Sequence, residues 1–391
     1  YRELFEAALD FAREQVRDES GGVLRQRVRW WSALGLLRAL ASSPAAAAET
    51  MRSRALAAGV EDPEAADAMG RASVLDTSDD VGLEGIDVTP GADTDPDTSD
   101  TSTTESQRVR ARLRELAKRA DSLAGPAEDA KLALLTRQVK ELLVDGFQPI
   151  VFCKFIHTAD YVAKHLSQTL GANYAVGSVT GILPPAERVA RVDELTADPD
   201  KRPVLVATDC LSEGVNLQEH FQAVIHYDLA WNPTRHEQRE GRVDRFGQAA
   251  AHVKALTIYG RDNQVDGIIL DILIKRHRAI SAATGVSVPV PDQNGSVLEA
   301  LTEGLLLRGK HGEQLTLDFA LGLAAERLHT EWESAAAKER NVRTKYQHEG
   351  LRPDLVAREV IQMREAVGTT VDIEPFLAES LSALGGQEVS S

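Results

Sequence analysis

Val204-Leu205-Val206-Ala207-Thr208-Asp209 is a continuous apolar run that stops abruptly at two polar residues. Four similar runs surround it, at Pro149–Cys153, Tyr174–Thr180, Ala223–Tyr227 and Val253–Tyr259, and amphipathic segments separate most of them. Short apolar runs that alternate with helical segments are typical of βαβ units, in which helices cover both faces of a parallel sheet. The sequence therefore predicts an α/β fold with a parallel β-sheet for this part of the chain.

Composition and periodicity divide the chain into five regions. The α/β lobe is predicted over residues 147–262, between α-helical regions on its N-terminal and C-terminal sides. The other regions are a helical segment at 1–74, an acidic Ser/Thr/Asp-rich insertion at 75–106, a helical lead-in at 107–146 and a C-terminal helical extension at 263–391.

The composition excludes several classes of protein. The 391 residues are 43% hydrophobic and 27% charged, which is ordinary for globular domains. No apolar run approaches the roughly 18–20 residues of a membrane-spanning helix. Cys153 and Cys210 are too few for a disulfide framework or a four-cysteine zinc site, and His226 reads as a core residue. We predict no metal ligands, and expect a cytoplasmic protein with no membrane partner.

The acidic residues are concentrated in one segment. The chain carries 44 Lys or Arg and 60 Asp or Glu, but ten of the acids lie between Leu75 and Glu105, where no Lys or Arg occurs. The remainder holds 44 basic against 50 acidic residues, so a basic surface for nucleic acid is not excluded. We interpret the acidic segment as a disordered, solvated linker. The alternative is an acidic strand that competes with a nucleic acid for a basic surface.

Basic residues cluster in the stretch Trp231-Asn-Pro-Thr-Arg-His-Glu-Gln-Arg-Glu-Gly-Arg-Val-Asp-Arg-Phe-Gly-Gln248. Helical spacing predicts that Gln238, Arg242 and Arg245 share one face of a helix. Two guanidinium groups that project together suit phosphate oxygens. The alternatives are a solvated basic face, or arginines that pair with acids elsewhere in the fold.

Three clusters, Ile150–Phe155, Val204–Gln218 and Trp231–Gln248, resemble motifs IV, V and VI of superfamily 2 helicases in their order and spacing. The match is close to the Swi/Snf-type branch of DNA translocases, which includes the bacterial RNA-polymerase-recycling ATPases. Trp231-Asn232-Pro233 and the following Gln-x-x-Gly-Arg-x-x-Arg-x-Gly-Gln pattern carry that likeness.

The segments on either side of the three clusters show a weaker likeness. Leu36–Pro44, where a helix is predicted to end at a proline, is similar to the segment that joins the two lobes of Swi/Snf-type proteins. Residues 1–74 would then be the helical linker or brace between the motor lobes. The flanks also look like the Swi/Snf-like helicase of bacterial DISARM phage-defence systems.

The resemblance implies a RecA-like lobe, one of two that clamp ATP between them. It gives Arg242 and Arg245 the role of arginine fingers, which stabilise charge during phosphoryl transfer. The residues implied on the nucleotide side are Gln238, Gly214, Asn216 and Gly241. The residues implied along the DNA backbone are Lys154, Phe155, Thr180, Gly181 and Thr208. Such contacts read phosphates and not bases, so no sequence specificity is expected.

Two motifs that ATP hydrolysis needs do not occur in these residues: Gly-x-x-x-x-Gly-Lys-Ser/Thr, and Asp-Glu after an apolar strand. The resemblance thus implies that ATP and Mg²⁺ are bound mainly by an N-terminal RecA-like lobe of the full-length protein, and this chain alone is expected to be inactive. The other expected partners are double-stranded DNA and further defence proteins. The alternatives are an RNA-polymerase-associated translocase and a non-catalytic scaffold module of a defence complex.

Overall fold

The computed structural model describes residues 1–17, 22–54, 104–211, 215–260, 263–284, 290, 296–307 and 323–347. Within those residues the chain opens with helices: α1 (Arg2–Arg17), α2 (Gly22–Ser42), α3 (Pro44–Arg54) and α4 (Thr104–Ser122). α2 ends just before Pro44, as predicted, but the helical region continues, because Pro44 is the first residue of α3. Proline is tolerated there, because the N–H groups of the first turn of a helix have no acceptor within the helix, so the N–H that proline lacks is not needed.

Helices and strands then alternate. The elements are α5 (Ala130–Val144), β1 (Pro149–Phe152), α6 (Ile156–Thr169), β2 (Tyr174–Val179), α7 (Pro185–Thr196), β3 (Arg202–Ala207), β4 (Ala223–His226), α8 (Thr234–Glu240) and β5 (Lys254–Thr257). The strands form one sheet in the order β2-β3-β1-β4-β5, and every neighbouring pair is parallel. The predicted parallel α/β architecture of the RecA-like type is confirmed.

Alternate strand residues point to opposite faces of the sheet and build two separate cores. On one face, Val151, Val206 and Ile225 pack with apolar residues of α5 and α6. On the other face, Phe152 and Leu205 pack with α7, with the segment between β3 and β4, and with the turns after α8. The segment after β1 and the segment after β3 therefore lie on opposite sides of the sheet.

The described secondary-structure elements after β5 are all helical. They form α9 (Gln264–Ile269), a π-helical turn (Leu270–Ile274), α10 (Lys275–Thr284), α11 (Ser296–Thr302), a second π-helical turn (Glu303–Leu307) and α12 (Leu323–Gln347). The apolar stretch Val265–Ile280 thus spans most of α9, the first π-helical turn and the first part of α10.

The chain divides into two compact units, residues 1–335 and residues 336–391. The second unit is described only as far as Gln347, where it is helical. The predicted acidic insertion, apart from the first residues of α4, and residues 348–391 of the predicted C-terminal extension lie outside the described residues.

Candidate functional site

The loops after β1 to β4 all begin at the same end of the sheet, because the strands are parallel. We call their first residues the carboxyl edge: Cys153–Phe155, Thr180–Gly181, Thr208–Asp209 and Tyr227–Asp228. The site residues that the resemblance implies, and that precede α8 in the sequence, belong to this edge or to the segment that follows β3.

Arg188 of α7 joins the loops after β2 and β3. Its side chain is buried, with Nε donating to the carbonyl of Leu183 at 2.7 Å and Nη1 donating to the carbonyl of Cys210 at 2.6 Å. A third, longer bond runs from Nη2 to the carbonyl of Gly181 at 3.4 Å. One guanidinium thus sets the separation of two loops at the carboxyl edge.

Arg239 of α8 joins the loops after β3 and β4. Its Nε and Nη2 donate to the two carboxylate oxygens of Asp209, both at 2.7 Å, and its Nη1 donates to the carbonyl of Asp228 at 3.3 Å. The guanidinium carbon lies 5.5 Å from the ring centre of Phe152, the last residue of β1. Arg239 is 1% exposed, so this paired contact is a buried anchor of α8 and not a surface ion pair.

Two further contacts hold α8 against the end of β4. Glu240 Oε1 lies 3.0 Å from Nε2 of the buried His226, and Nε2 of His236 accepts a hydrogen bond from the N–H of Ala230 at 3.2 Å. Burial lowers the pKa of His226, with a partial offset from Glu240. Burial and the neighbouring His226 lower the pKa of His236 to about 2. Both imidazoles are therefore uncharged at neutral pH.

The predicted single helix through the arginine cluster is wrong. α8 ends at Glu240 with Gly241 as its C-terminal cap, and residues 242–247 continue as turns. Gln238 lies on the helix, whereas Arg242 and Arg245 lie beyond it, so helical spacing does not relate the three. Glycine has a poor helix propensity, which helical periodicity alone does not register.

The nucleotide-side residues implied by the resemblance have differing environments. Gln238, Gly241, Arg245 and Asn216 are exposed, and the Oε1 of Gln238 accepts from Arg235 of the same helix at 3.2 Å. Arg242 is half-buried and donates to the carbonyl of Leu211 in the segment after β3. Gly214 lies outside the described residues.

The DNA-side residues are less accessible than their predicted role requires. Phe155 is buried and packs with Ala39 of α2 and Ala46 of α3. Thr180 is also buried, and the hydroxyl of the fully buried Thr208 has no hydrogen-bond partner among the described residues. Lys154 and Gly181, by contrast, are half-exposed.

Asp228 is a residue of the carboxyl edge that the sequence reading missed. Its Oδ2 accepts from Ser42 Oγ at 2.9 Å and from the N–H of Lys154 at 2.8 Å, while its Oδ1 accepts from Lys131 Nζ at 2.9 Å. Burial alone would lower the pKa of Lys131, but the carboxylates of Asp228 and Asp266 leave it above its ordinary value. A sequence signal existed, because Asp209 and Asp228 each stand two residues beyond the end of a buried strand.

The site shows no sign of metal or thiol chemistry within the described part of the chain. No group of three or more His, Cys, Asp or Glu side chains there is placed to hold a metal ion. Cys153 and Cys210 are both buried, and burial raises the pKa of the Cys153 thiol well above its ordinary value.

Comparison with known proteins finds a family model that matches one part of this chain. Residues 130–247 match the family model of the helicase conserved C-terminal domain. The match begins at α5, earlier than the predicted lobe boundary at residue 147, and it ends two residues after Arg245. Residues 130–247 are thus similar to the helicase conserved C-terminal domain.

Individual relatives match short parts of much longer proteins. The uncharacterized ATP-dependent helicase YqhH of Bacillus subtilis (strain 168) is 56% identical over 45 residues, 12% of this chain and 8% of that protein. Zorya protein ZorD of Escherichia coli O139:H28 (strain E24377A / ETEC) is 30% identical over 114 residues, 29% of this chain and 10% of that protein. DEAD-box ATP-dependent RNA helicase 46 of Arabidopsis thaliana is 30% identical over 115 residues, 29% of this chain and 16% of that protein.

Among solved structures, the crystal structure of the C-terminal part of the Fun30 ATPase domain superposes with a TM-score of 0.41 at 15% identity, covering 78% of this chain and 93% of that chain. The fold assignment rests on strand order and the family match, and not on this superposition. In the described residues no helix combines the length and apolar character needed to cross a bilayer.

Proposed function

We propose that this chain supplies the second motor lobe of an ATP-dependent DNA translocase or helicase, with Arg242 and Arg245 providing positive charge to the phosphates of ATP. The observation that carries the proposal is the anchoring of α8. Arg239 fixes this helix to the ends of β3 and β4, and the two arginines follow within five residues of its end. Groups that act on developing charge must be held in place before the reaction, and the anchoring of α8 supports this role for the arginines that follow it.

In this proposal the nucleotide also meets Gln238, Gly241, Gly214 and Asn216. ATP and Mg²⁺ are held mainly by an N-terminal RecA-like lobe of the full-length protein, so this chain alone releases no phosphate. Residues 147–262 make up the lobe itself, and residues 1–74 brace it against the first lobe.

The DNA contacts that we propose are with the phosphate backbone and are independent of base sequence. Their support is strongest for Lys154 and Gly181, which are half-exposed at the carboxyl edge. Contacts by Phe155, Thr180 and Thr208 require the covering segments to move when DNA binds, because these side chains are buried in this structure.

The first test is ATP hydrolysis by the complete protein, with and without duplex DNA. Arg245→Ala is expected to abolish DNA-stimulated phosphate release, since the lost guanidinium stabilises the transition state, with duplex binding retained. Arg137→Ala is the matched control, because Arg137 is an exposed arginine on α5 with a side chain 67% exposed. Normal turnover by Arg245→Ala would overturn the role of that arginine.

The same experiment separates the motor from its alternative. Folded complete protein that releases no phosphate under either condition would favour a scaffold that binds an acidic partner through its arginines. An anti-phage role rests on the resemblance of the flanking segments alone. Plaque counts on cells with and without the complete protein test it directly.

A further inference from the structure

Asp228 ties four parts of the molecule together. Its carboxylate accepts hydrogen bonds from the end of α2 through Ser42, from the loop after β1 through the N–H of Lys154, and from α5 through Lys131. The side chain of Asp228 is 7% exposed, so these contacts are shielded from water. The Nζ of Lys131 also donates to the carbonyl of Ala41 at 2.9 Å, so that the same ammonium holds the last turn of α2.

The end of α2 reaches the loop between β4 and α8 at a second point. The guanidinium of Arg38, one helical turn before Ser42, lies 5.0 Å from the ring centre of Trp231. Trp231 is 3% exposed, so this stacking contact is buried. The loop runs from Asp228 to Pro233 and enters α8 at Thr234, so α2 holds it at both Asp228 and Trp231.

We propose that Ser42 and Arg38 are positioning residues for the arginines beyond α8. In this view the end of α2, when seated on Asp228 and Trp231, sets the position of α8 and of the turns that carry Arg242. The placement of these arginines then depends on a helix that lies outside the lobe. This inference rests on the proposed function, because it assumes that the arginines act on bound ATP.

Neighbouring serines offer a matched pair of variants. Ser42 and Ser43 both lie 2.7 Å from the hydroxyl of Thr158, but only Ser42 also donates to Asp228, whereas Ser43 caps the N–H of Ala46 in α3. Both are buried hydroxyls of the same size. Ser42→Ala therefore removes the contact with Asp228, whereas Ser43→Ala keeps it and removes the cap of α3.

The test is carried out on the complete protein by measuring kcat and KM for ATP with saturating duplex DNA. Ser42→Ala is expected to lower kcat about fivefold or more with KM changed by less than about twofold, because a misplaced arginine weakens transition-state binding and not ground-state binding. Ser43→Ala is expected to keep kcat and to act only on the melting temperature. Arg38→Gln is a second, independent variant, with the same expected effect as Ser42→Ala.

Amide hydrogen exchange supplies a readout that does not depend on turnover. Ser42→Ala should speed exchange in residues 229–245 of the complete protein, and Ser43→Ala should not. A wild-type kcat in both Ser42→Ala and Arg38→Gln, or equal kcat losses in the two serine variants, would overturn the inference. A wild-type protein without DNA-stimulated hydrolysis would instead overturn the proposed function, and the exchange comparison would still decide whether α2 positions α8.

Discussion

Arg239 and Asp209, thirty residues apart in sequence, form a paired contact in which two guanidinium nitrogens each meet one carboxylate oxygen at 2.7 Å. The arginine is buried, while the carboxylate is 21% exposed. Paired geometry of this kind is stronger than a single ionic contact and fixes orientation as well as distance. The contact anchors α8 to the sheet, and α8 depends on such an anchor because a helix of seven residues is not stable by itself.

Arg239→Ala is expected to destabilise the protein by about 3–5 kcal/mol, the cost of leaving one member of a buried ion pair without its partner. Arg239→Lys should recover only part of this, because one ammonium nitrogen cannot reproduce the planar paired contact of a guanidinium with both carboxylate oxygens. Urea denaturation measures the free energy of unfolding, with exposed Arg137→Ala as control. A loss below about 1 kcal/mol, the range of surface pairs, would mean that the contact anchors nothing.

Arg188 and Arg191 provide a second comparison, on one helix. Arg188→Ala removes a buried hydrogen bond to the carbonyl of Cys210 and a half-buried one to the carbonyl of Leu183, and the loss of the buried bond is expected to cost about 1–3 kcal/mol. Arg191 has a side chain 55% exposed, and Arg191→Ala should change stability by less than about 0.5 kcal/mol. Thermal unfolding of the two variants measures the difference, and equal melting temperatures would contradict the role of Arg188.

Stability should fall with acidification because of His236. Its pKa is about 2 in the folded protein and near 6.5 when unfolded, so between these values only the unfolded chain takes up the proton. The free energy of unfolding therefore decreases as pH falls below about 6.5, with a slope approaching about 1.4 kcal/mol per pH unit from this residue. The lowered pKa of His226 acts in the same direction.

His236→Gln tests this linkage, because the amide oxygen can still accept the hydrogen bond from Ala230. The variant should lose stability less steeply than wild type when urea denaturation is followed from about pH 7 to about pH 5. Parallel curves for the two proteins would show that His236 does not carry the proton difference.

The two cysteines should be unreactive in the folded protein. Burial raises the pKa of Cys153 well above its ordinary value, with a further contribution from the Asp228 carboxylate, and both thiols are buried. A thiol reagent is expected to label neither residue at neutral pH, and to label both after denaturation in guanidinium. Rapid labelling of either in the native state would contradict the burial described.

The sequence was sufficient to predict the strands, because each is a short, nearly unbroken apolar run. β3 and β4 are examples: both are buried almost throughout, and a strand buried on both faces must be apolar at every position. The residues just after these strands could be located for the same reason.

The hydrogen bonds and ion pairs that connect the loops of the carboxyl edge could not be predicted. The partners Arg239 and Asp209, or Ser42 and Asp228, are far apart in sequence, and no local pattern specifies which arginine turns inward. Helical spacing groups Arg242 with Gln238, although the helix ends between them at Glu240. Helical spacing predicts which residues share a face only when they belong to one continuous helix.

The strand order has one more consequence. α6, which follows β1, and the segment that follows β3 lie on opposite faces of the sheet. When the connections of two adjacent parallel strands go to opposite faces, a crevice forms at the carboxyl ends of those strands. Open α/β sheets bind their ligands in this crevice. Here Arg239 lies over the last residue of β1 and binds Asp209 beyond the end of β3, so the protein fills that crevice with its own guanidinium. We therefore expect a ligand to bind outside it, where the next cationic side chains along the chain are Arg242 and Arg245.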